Sequence, residues 1–241
     1  VPHTVTPVAA YGFNESSGTV IEDITGNGHT LTTSSSYFTA SGHTASGLQQ
    51  VAADDKAVDD TDGTFTALLS GTLSYTVMFW GRRTIEGTLG ASWTVAQAID
   101  DNIFLSWAIA MSDGTDAVFQ MRRNGYDSAI TVPKLPLGEW HHYALTCNSL
   151  GYLRAYIDGT SVGTLYSWGL GSPDTDQALQ IFGYGMQGQV IDDLRFFDVP
   201  LTPDTAAYYM NQAITYGARS GKIKHWNGMQ WQAHPLKVWD G

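Results

Sequence analysis

The sequence predicts an all-β fold with one helix, on three observations. Charged residues are 15% of the 241 residues, against about 25% in ordinary soluble domains, and only four are glutamates, the residues on which helix-rich chains lean. Gly numbers 26 and aromatic residues make up 12%, a composition of strands and turns. Finally, short β-branched and aromatic runs alternate with Gly, Asp, Asn and Ser clusters. The length suits one large sandwich domain with a substantial core.

Val5–Phe13 is the first expected strand. Thr32–Ser46 and Ala52–Gly63 are rich in Ser, Thr, Gly and Asp and read as loops. In Ser74–Trp80, Tyr75, Val77 and Phe79 share one face, and Thr76, Met78 and Trp80 the other. Apolar groups on both faces mark a central strand. Ile103–Ala110, Ala117–Arg122, Trp140–Cys147 and Leu153–Ile157 are further strands. Asp158-Gly159 then supplies the two positive-φ positions of a type I′ hairpin, returning as Ser161–Leu165. After a loop at Gly169–Asp176 come Ala178–Phe182 and Gln189–Phe197. Thr202-Pro203-Asp204 gives an N-cap, a proline at the first helical position and an acidic first turn. That helix should run to about Gln212 or Ile214.

The chain carries 12 basic and 23 acidic residues, net −11. This excludes a broad nucleic-acid surface, which needs Lys and Arg. No stretch approaches the ~18 uninterrupted apolar residues of a membrane span, so no membrane insertion is expected. Val1 begins no basic-then-apolar leader, and the absence of an initiator Met fits a processed start. Cys147 stands alone, excludes an internal disulfide and reads as a buried structural thiol.

The charge is uneven: +3 from Gly217 onward and −14 before it. Gly217–Gly221 is therefore the expected boundary between residues 1–216 and a basic, Trp-rich segment, 217–241. There Lys224-His225-Trp226-Asn227-Gly228 recurs as Lys237-Val238-Trp239-Asp240-Gly241. A two-stranded piece is marginal alone in water. Trp226, Trp231 and Trp239 are accordingly read as docking anchors onto the body, a sister chain or a partner.

Four ordered stretches carry a resemblance: Ala9-Ala10-Tyr11-Gly12-Phe13-Asn14-Glu15; Asp23-Ile24-Thr25-Gly26-Asn27-Gly28; Gly138-Glu139-Trp140-His141-His142-Tyr143 leading to Ile157-Asp158-Gly159; and Gly188-Gln189-Val190-Ile191-Asp192-Asp193-Leu194-Arg195-Phe196-Phe197 leading to Leu201-Thr202-Pro203. Together they resemble a bacterial laminin-G-like domain. The resemblance implies a two-sheet antiparallel jelly-roll sandwich of the concanavalin A-like type, with one short helix and, here, a C-terminal β tail. The Lys-x-Trp-Asn/Asp-Gly repeats are similar to the C-termini of structural proteins of actinobacterial tailed phages. That likeness implies a virion protein, placed in the phage tail before the capsid, in a homo-oligomer or multi-copy assembly with other virion proteins. Its jelly roll would engage a host cell-surface glycan or a neighbouring subunit. A capsid decoration protein is the second reading, and a bacterial carbohydrate-binding lectin module the third.

Some relatives of this jelly roll are glycoside hydrolases or lyases. Retaining hydrolysis on the fold uses Glu-x-Asp-x-x-Glu, which brings two carboxylates to ~5–5.5 Å. Glu15, Glu22, Glu86 and Glu139 are too far apart for it. The doublets Asp54-Asp55, Asp59-Asp60, Asp100-Asp101 and Asp192-Asp193 do not replace it, because strand neighbours point to opposite faces. The same rule sends His141 and His142 apart, one to the core or an interface and one to the surface. No enzyme is expected. Calcium is the better chemical candidate: Asp23 and Asn27 in a Gly-flanked loop offer hard oxygen ligands. The resemblance adds Asp192 and Asp193. The alternative is a plain tight turn at Gly26–Gly28, with Asp192 capping a loop. Among aromatics able to stack on sugar (Trp93, Trp107, Tyr126, Tyr166, Trp168), Tyr166 and Trp168 stand out, since they enter a Gly-Ser-Pro-Asp loop. Their alternative role is core packing.

Overall fold

The computed structural model describes residues 5–15, 17–35, 37–39, 41–52, 56–59, 74–85, 92–99, 104–111, 116–123, 126–133, 135–166, 179–182, 188–215, 223–226 and 231–234. One antiparallel sheet runs β14 (Thr160–Tyr166), β13 (Tyr152–Ile157), β12 (Trp140–Cys147), β7 (Tyr75–Arg83), β16 (Gln189–Phe197), β5 (Gly47–Gln50) and β4 (Phe38–Thr39), with β1 (Ala9–Tyr11) also paired to β16. The second runs β11 (Tyr126–Pro133), β10 (Asp116–Arg123), β9 (Phe104–Met111), β8 (Ser92–Ile99), β15 (Leu179–Phe182), β6 (Lys56–Asp59), β3 (Leu31–Thr33) and β2 (Val20–Ile21). A short helix, α1, spans Pro203–Met210, and β17 (Ile223–Trp226) pairs with β18 (Trp231–His234) as a hairpin. This is the two-sheet jelly-roll sandwich expected, with one helix among the described residues and a C-terminal β tail.

Alternation builds the core. Tyr75, Val77 and Phe79 of β7, Tyr143 and Leu145 of β12, Leu153 and Ala155 of β13, and Ile191 and Phe196 of β16 pack in one cluster with Ile21, Leu31, Ile130, Val132, Leu179 and Ile181 of the facing sheet. The other face of the first sheet carries a smaller cluster, Met78, Ala144, Tyr156 and Phe197, roofed by Leu201 and Ala206 with Val5 and Tyr209. Apolar groups on both faces thus place β7 centrally, as expected. Thr202 caps α1 through its Oγ1, which accepts from the Thr205 N–H at 3.3 Å, and Pro203 starts the helix. The helix stops at Met210 rather than Gln212 or Ile214. The Asn211 and Gln212 N–H groups donate to the Tyr208 and Tyr209 carbonyls, closing it with a tighter turn.

Three expectations need correction. Thr32–Ser46 and Ala52–Gly63 are not plain loops, for β3, β4 and β6 lie in them. These strands are two to four residues long and pair through backbone groups, so the Ser, Thr, Gly and Asp around them hide them. The first strand spans Ala9–Tyr11, shorter than Val5–Phe13. Asp192 and Asp193 do not point to opposite faces of a regular strand. The β16–β7 register slips between Asp192 and Arg195, and Asp193 takes φ +51°, a bulge that turns both carboxylates toward the loop holding His43.

Candidate functional site

Period-two alternation on β13 puts Tyr152, Arg154 and Tyr156 on the face away from the main core. Across the hairpin, Asp158 and Gly159 have φ +50° and +76°, the left-handed pair the turn requires. Ile157 pairs with Thr160 and Tyr156 with Ser161; the register then slips, so Ala155 pairs with Gly163 and Tyr152 with Tyr166. The two tyrosine rings lie 4.9 Å apart at 50°, with 44% and 41% of their surface exposed. Tyr152 opens onto a groove of about 230 Å³ lined by Thr146, Asn148, Arg154, Tyr156 and the Pro200–Pro203 segment that leads into α1. The Asn148 Oδ1 accepts the Leu150 and Tyr152 N–H groups, both at 3.0 Å, which leaves its NH₂ as a donor. Arg154 is the one charged side chain on the lining. Aromatic rings beside a groove with a few placed polar groups are the make-up of a small-molecule site.

Tyr166, expected to contact a ligand, is exposed and lies against Tyr152, which lines the groove. Trp168 lies outside the described residues, as does Trp239. Trp226 and Trp231 are opposite partners in the β17–β18 ladder. Tyr152 and Arg154 are the residues that sequence reasoning missed. Arg154 lies on the strand expected at Leu153–Ile157, and Tyr152 lies one residue before it; their signal was that alternation carried one residue back, read together with the turn that brings Tyr166 alongside.

Farther along the same face, one row across β16, β7 and β12 reads Asp192, Trp80, His142. His43 lies flat on Trp80, with ring centroids 3.8 Å apart, and Trp140 meets His43 edge-on at 5.7 Å. The Asp192 carboxylate accepts the His43 and Thr44 N–H groups at 2.8 and 3.0 Å and the Asp193 N–H at 2.8 Å. Asp193 accepts the Ile214 N–H at 2.5 Å and sits 4.0 Å from the His43 ring. Arg195 donates to the Asp193 and Gln212 carbonyls. Burial, reinforced by the Asp193 charge, raises the Asp192 pKa to about 6. Burial, reinforced by Arg195, lowers that of His142 to about 3. Neither ring nitrogen of His142 has a hydrogen-bond partner. His141 points the other way and pairs with Asp158 at 2.7 Å.

Asp23 and Asn27 occupy one loop, as expected, but the loop uses them as fasteners. Asp23 accepts from the Ala10, Thr25 and His29 N–H groups at 3.1, 3.0 and 3.3 Å and from the Thr25 hydroxyl. Asn27 donates to the Val8 carbonyl at 2.8 Å. Asp192 and Asp193 are bound to different segments, at His43–Thr44 and Ile214. Among the described residues, no three His, Cys, Asp or Glu side chains converge as a metal-holding group. With their oxygens taken by N–H and O–H donors, Asp23 and Asp192 do not fit a calcium-ligand set.

The groove-bearing sandwich has relatives. The model for the laminin-G-like branch of the concanavalin A-like lectin/glucanases superfamily matches residues 56–207. The chain belongs to this superfamily. No curated protein matches it in sequence. Among solved structures, a botulinum neurotoxin type C structure described for cell entry through two ganglioside molecules superposes with TM-score 0.65 at 14% identity, covering 91% of this chain and 53% of that one. The binding domain of Paraclostridial Mosquitocidal Protein 1 gives 0.64 at 18%, covering 85% and 52%. Domain 4 of AbnA, a GH43 extracellular arabinanase from Geobacillus stearothermophilus in complex with arabinotriose, gives 0.64 at 18%, covering 86% of this chain and 99% of that one. The superfamily member described here spans about half of the toxin chains and nearly all of the AbnA domain. At these identities the likeness is one of fold.

Proposed function

We propose that the chain is a non-catalytic glycan-binding module, with the Tyr152–Tyr166 pair and its adjoining groove as the sugar site. The exposed, ring-against-ring pair at the mouth of a polar groove carries this reading. The groove lining holds no carboxylate, so it lacks the acid and base that glycoside cleavage needs. Whole-domain similarity to a module complexed with arabinotriose supports the class of ligand. The setting we propose is a tailed-phage particle, with residues 217–241 fastening the module to other virion proteins and the jelly roll turned to the host surface. The repeated Lys-x-Trp-Asn/Asp-Gly pattern, whose first copy ends β17, supports it.

A glycan array with wild-type chain and with Tyr166→Ala tests the first part. Saccharide binding that the substitution weakens about tenfold is the expected result, and binding that it leaves unchanged overturns the assigned site. A C-terminal tag visualised by electron microscopy on purified particles tests the second. Density at the tail tip supports host contact, density over the capsid supports decoration, and absence from particles leaves a free lectin module. That last reading has its own support in the AbnA domain, a module of a larger enzyme.

A further inference from the structure

We propose that the groove selects an anionic saccharide, one bearing a carboxylate or phosphate, with the Arg154 guanidinium as its anion-binding group; the inference rests on the glycan-binding reading of this groove. Three observations carry it. Arg154 is the sole charge among the lining residues Thr146, Asn148, Tyr152, Tyr156 and Thr202. It forms no ion pair among the described residues, whose pairs all involve histidines. The chain as a whole carries −11, so an anion is repelled by most of the surface and has its favourable contact where a cation stands without a carboxylate. A guanidinium presents a planar fork of donors that matches a carboxylate or phosphate with two parallel hydrogen bonds. From β13, Arg154 is two residues along the same face from Tyr152, so a sugar ring stacked on the tyrosine pair places an acidic substituent toward the guanidinium. The Asn148 NH₂ is left to donate to a hydroxyl. The one carboxylate in the first turn of α1, Asp204, is not on the lining.

The test is affinity electrophoresis of the full chain in gels containing polygalacturonate, phosphomannan, mannan or dextran, alongside a neutral-glycan array. Wild type should bind polygalacturonate or phosphomannan at least tenfold more tightly than mannan, and which of the two retards it identifies the acidic group. Arg154→Gln should lose that preference, a drop of about ten- to a hundredfold for a charge-assisted hydrogen bond. Any binding to neutral polymers should persist, and persistence also shows that the variant is folded. Arg154→Lys should recover only part, because it restores the charge without the fork. Tyr166→Ala should weaken every polymer. Equal binding to charged and neutral polymers, unchanged by Arg154→Gln, overturns the inference and leaves the glycan reading intact. Loss in Arg154→Gln with none in Tyr166→Ala overturns it too, since the anion is then held by bare charge. Blank gels with hits on the array overturn the inference alone, and blank gels with a blank array overturn both.

Discussion

Tyr152 stands opposite Tyr166, and one extra residue makes it so. From the turn, the pairs Ile157–Thr160 and Tyr156–Ser161 set a register that would place Tyr152 opposite Leu165. The slip that leaves Val162 without a partner moves every later residue of β14 by one. A shift of one residue exchanges the faces of a strand, so the slip carries Tyr166 from the core side to the groove side.

The two rings should therefore act as one platform. Tyr152→Ala and Tyr166→Ala are each expected to lower saccharide affinity about tenfold, or ~1.4 kcal/mol. The double variant should be little worse than either, because removing one ring of a contacting pair already spoils the surface. Titration calorimetry on the three variants measures the coupling, and losses that simply add would show that the rings do not share a ligand.

How much of this was legible in the sequence depends on the kind of signal. β12 and β16 match their expected bounds, since apolar residues fill both faces of a central strand and polar turns end it. β3, β4 and β6 went unseen because a strand of two to four residues holds no periodicity and theirs lie in segments rich in Ser, Thr, Gly and Asp. The site was half visible. The expected strand Leu153–Ile157 held Arg154 but stopped one residue short of Tyr152, and Asp158-Gly159 marked the hairpin. Nothing in composition marks the slip at Val162, however, so the Tyr152–Tyr166 pairing had no sequence signature. The doublet at Asp192–Asp193 misled for the same reason, since a bulge cancels the alternation rule.

Two buried groups on the outer face should give opposing pH dependences. His142 has a folded pKa of about 3 against the ordinary 6.5. Below pH 6.5 the unfolded chain thus takes up a proton that the folded chain refuses, and stability is lost as pH falls toward 3. Asp192 has a folded pKa of about 6 against 3.8. Between pH 4 and 6 the folded carboxyl keeps a proton that the unfolded one has released, so stability is gained as pH falls through 6. Each effect is on the order of 2–3 kcal/mol by pH 4, and they oppose each other. His142→Phe keeps a ring edge-on to Trp80 and should make stability rise as pH drops from 6 to 4. Asp193→Asn suits the positive φ and still accepts the Ile214 N–H, while removing the charge that helps raise Asp192. It should make stability fall faster. Urea midpoints across this range compare the three chains, and parallel curves would remove the assignment of these two groups.

Gly163 of β14 faces Ile130 of β11 across the two sheets. A methyl group there would run into the Ile130 Cγ2 of β11. Gly163→Ala should cost about 1–3 kcal/mol by overpacking, and Ile130→Ala should cost about 2–5 kcal/mol by leaving a cavity. The double variant should be less destabilised than the sum, because each change relieves the other. Additive costs in urea denaturation would mean that β11 and β14 do not touch at this point.

Calcium should add no stability. Asp23 already accepts from three backbone N–H groups and the Thr25 hydroxyl, and a carboxylate has about four lone-pair sites. A calcium ion takes 6–8 oxygen ligands, so binding here would first have to break the bonds that tie the 23–29 loop to β1. The side chain of Asn27 is engaged with the Val8 carbonyl, and Asp192 and Asp193 serve other segments. Melting temperatures in millimolar calcium and in chelator should coincide, because a ligand that binds the folded chain raises it by mass action. Asp23→Ala should instead lower stability by about 1–3 kcal/mol in both, through the Ala10, Thr25 and His29 N–H groups it orphans. A melting temperature that rises with calcium in wild type and not in Asp23→Ala would show that the loop rearranges around the ion, and would restore Asp23 as a ligand.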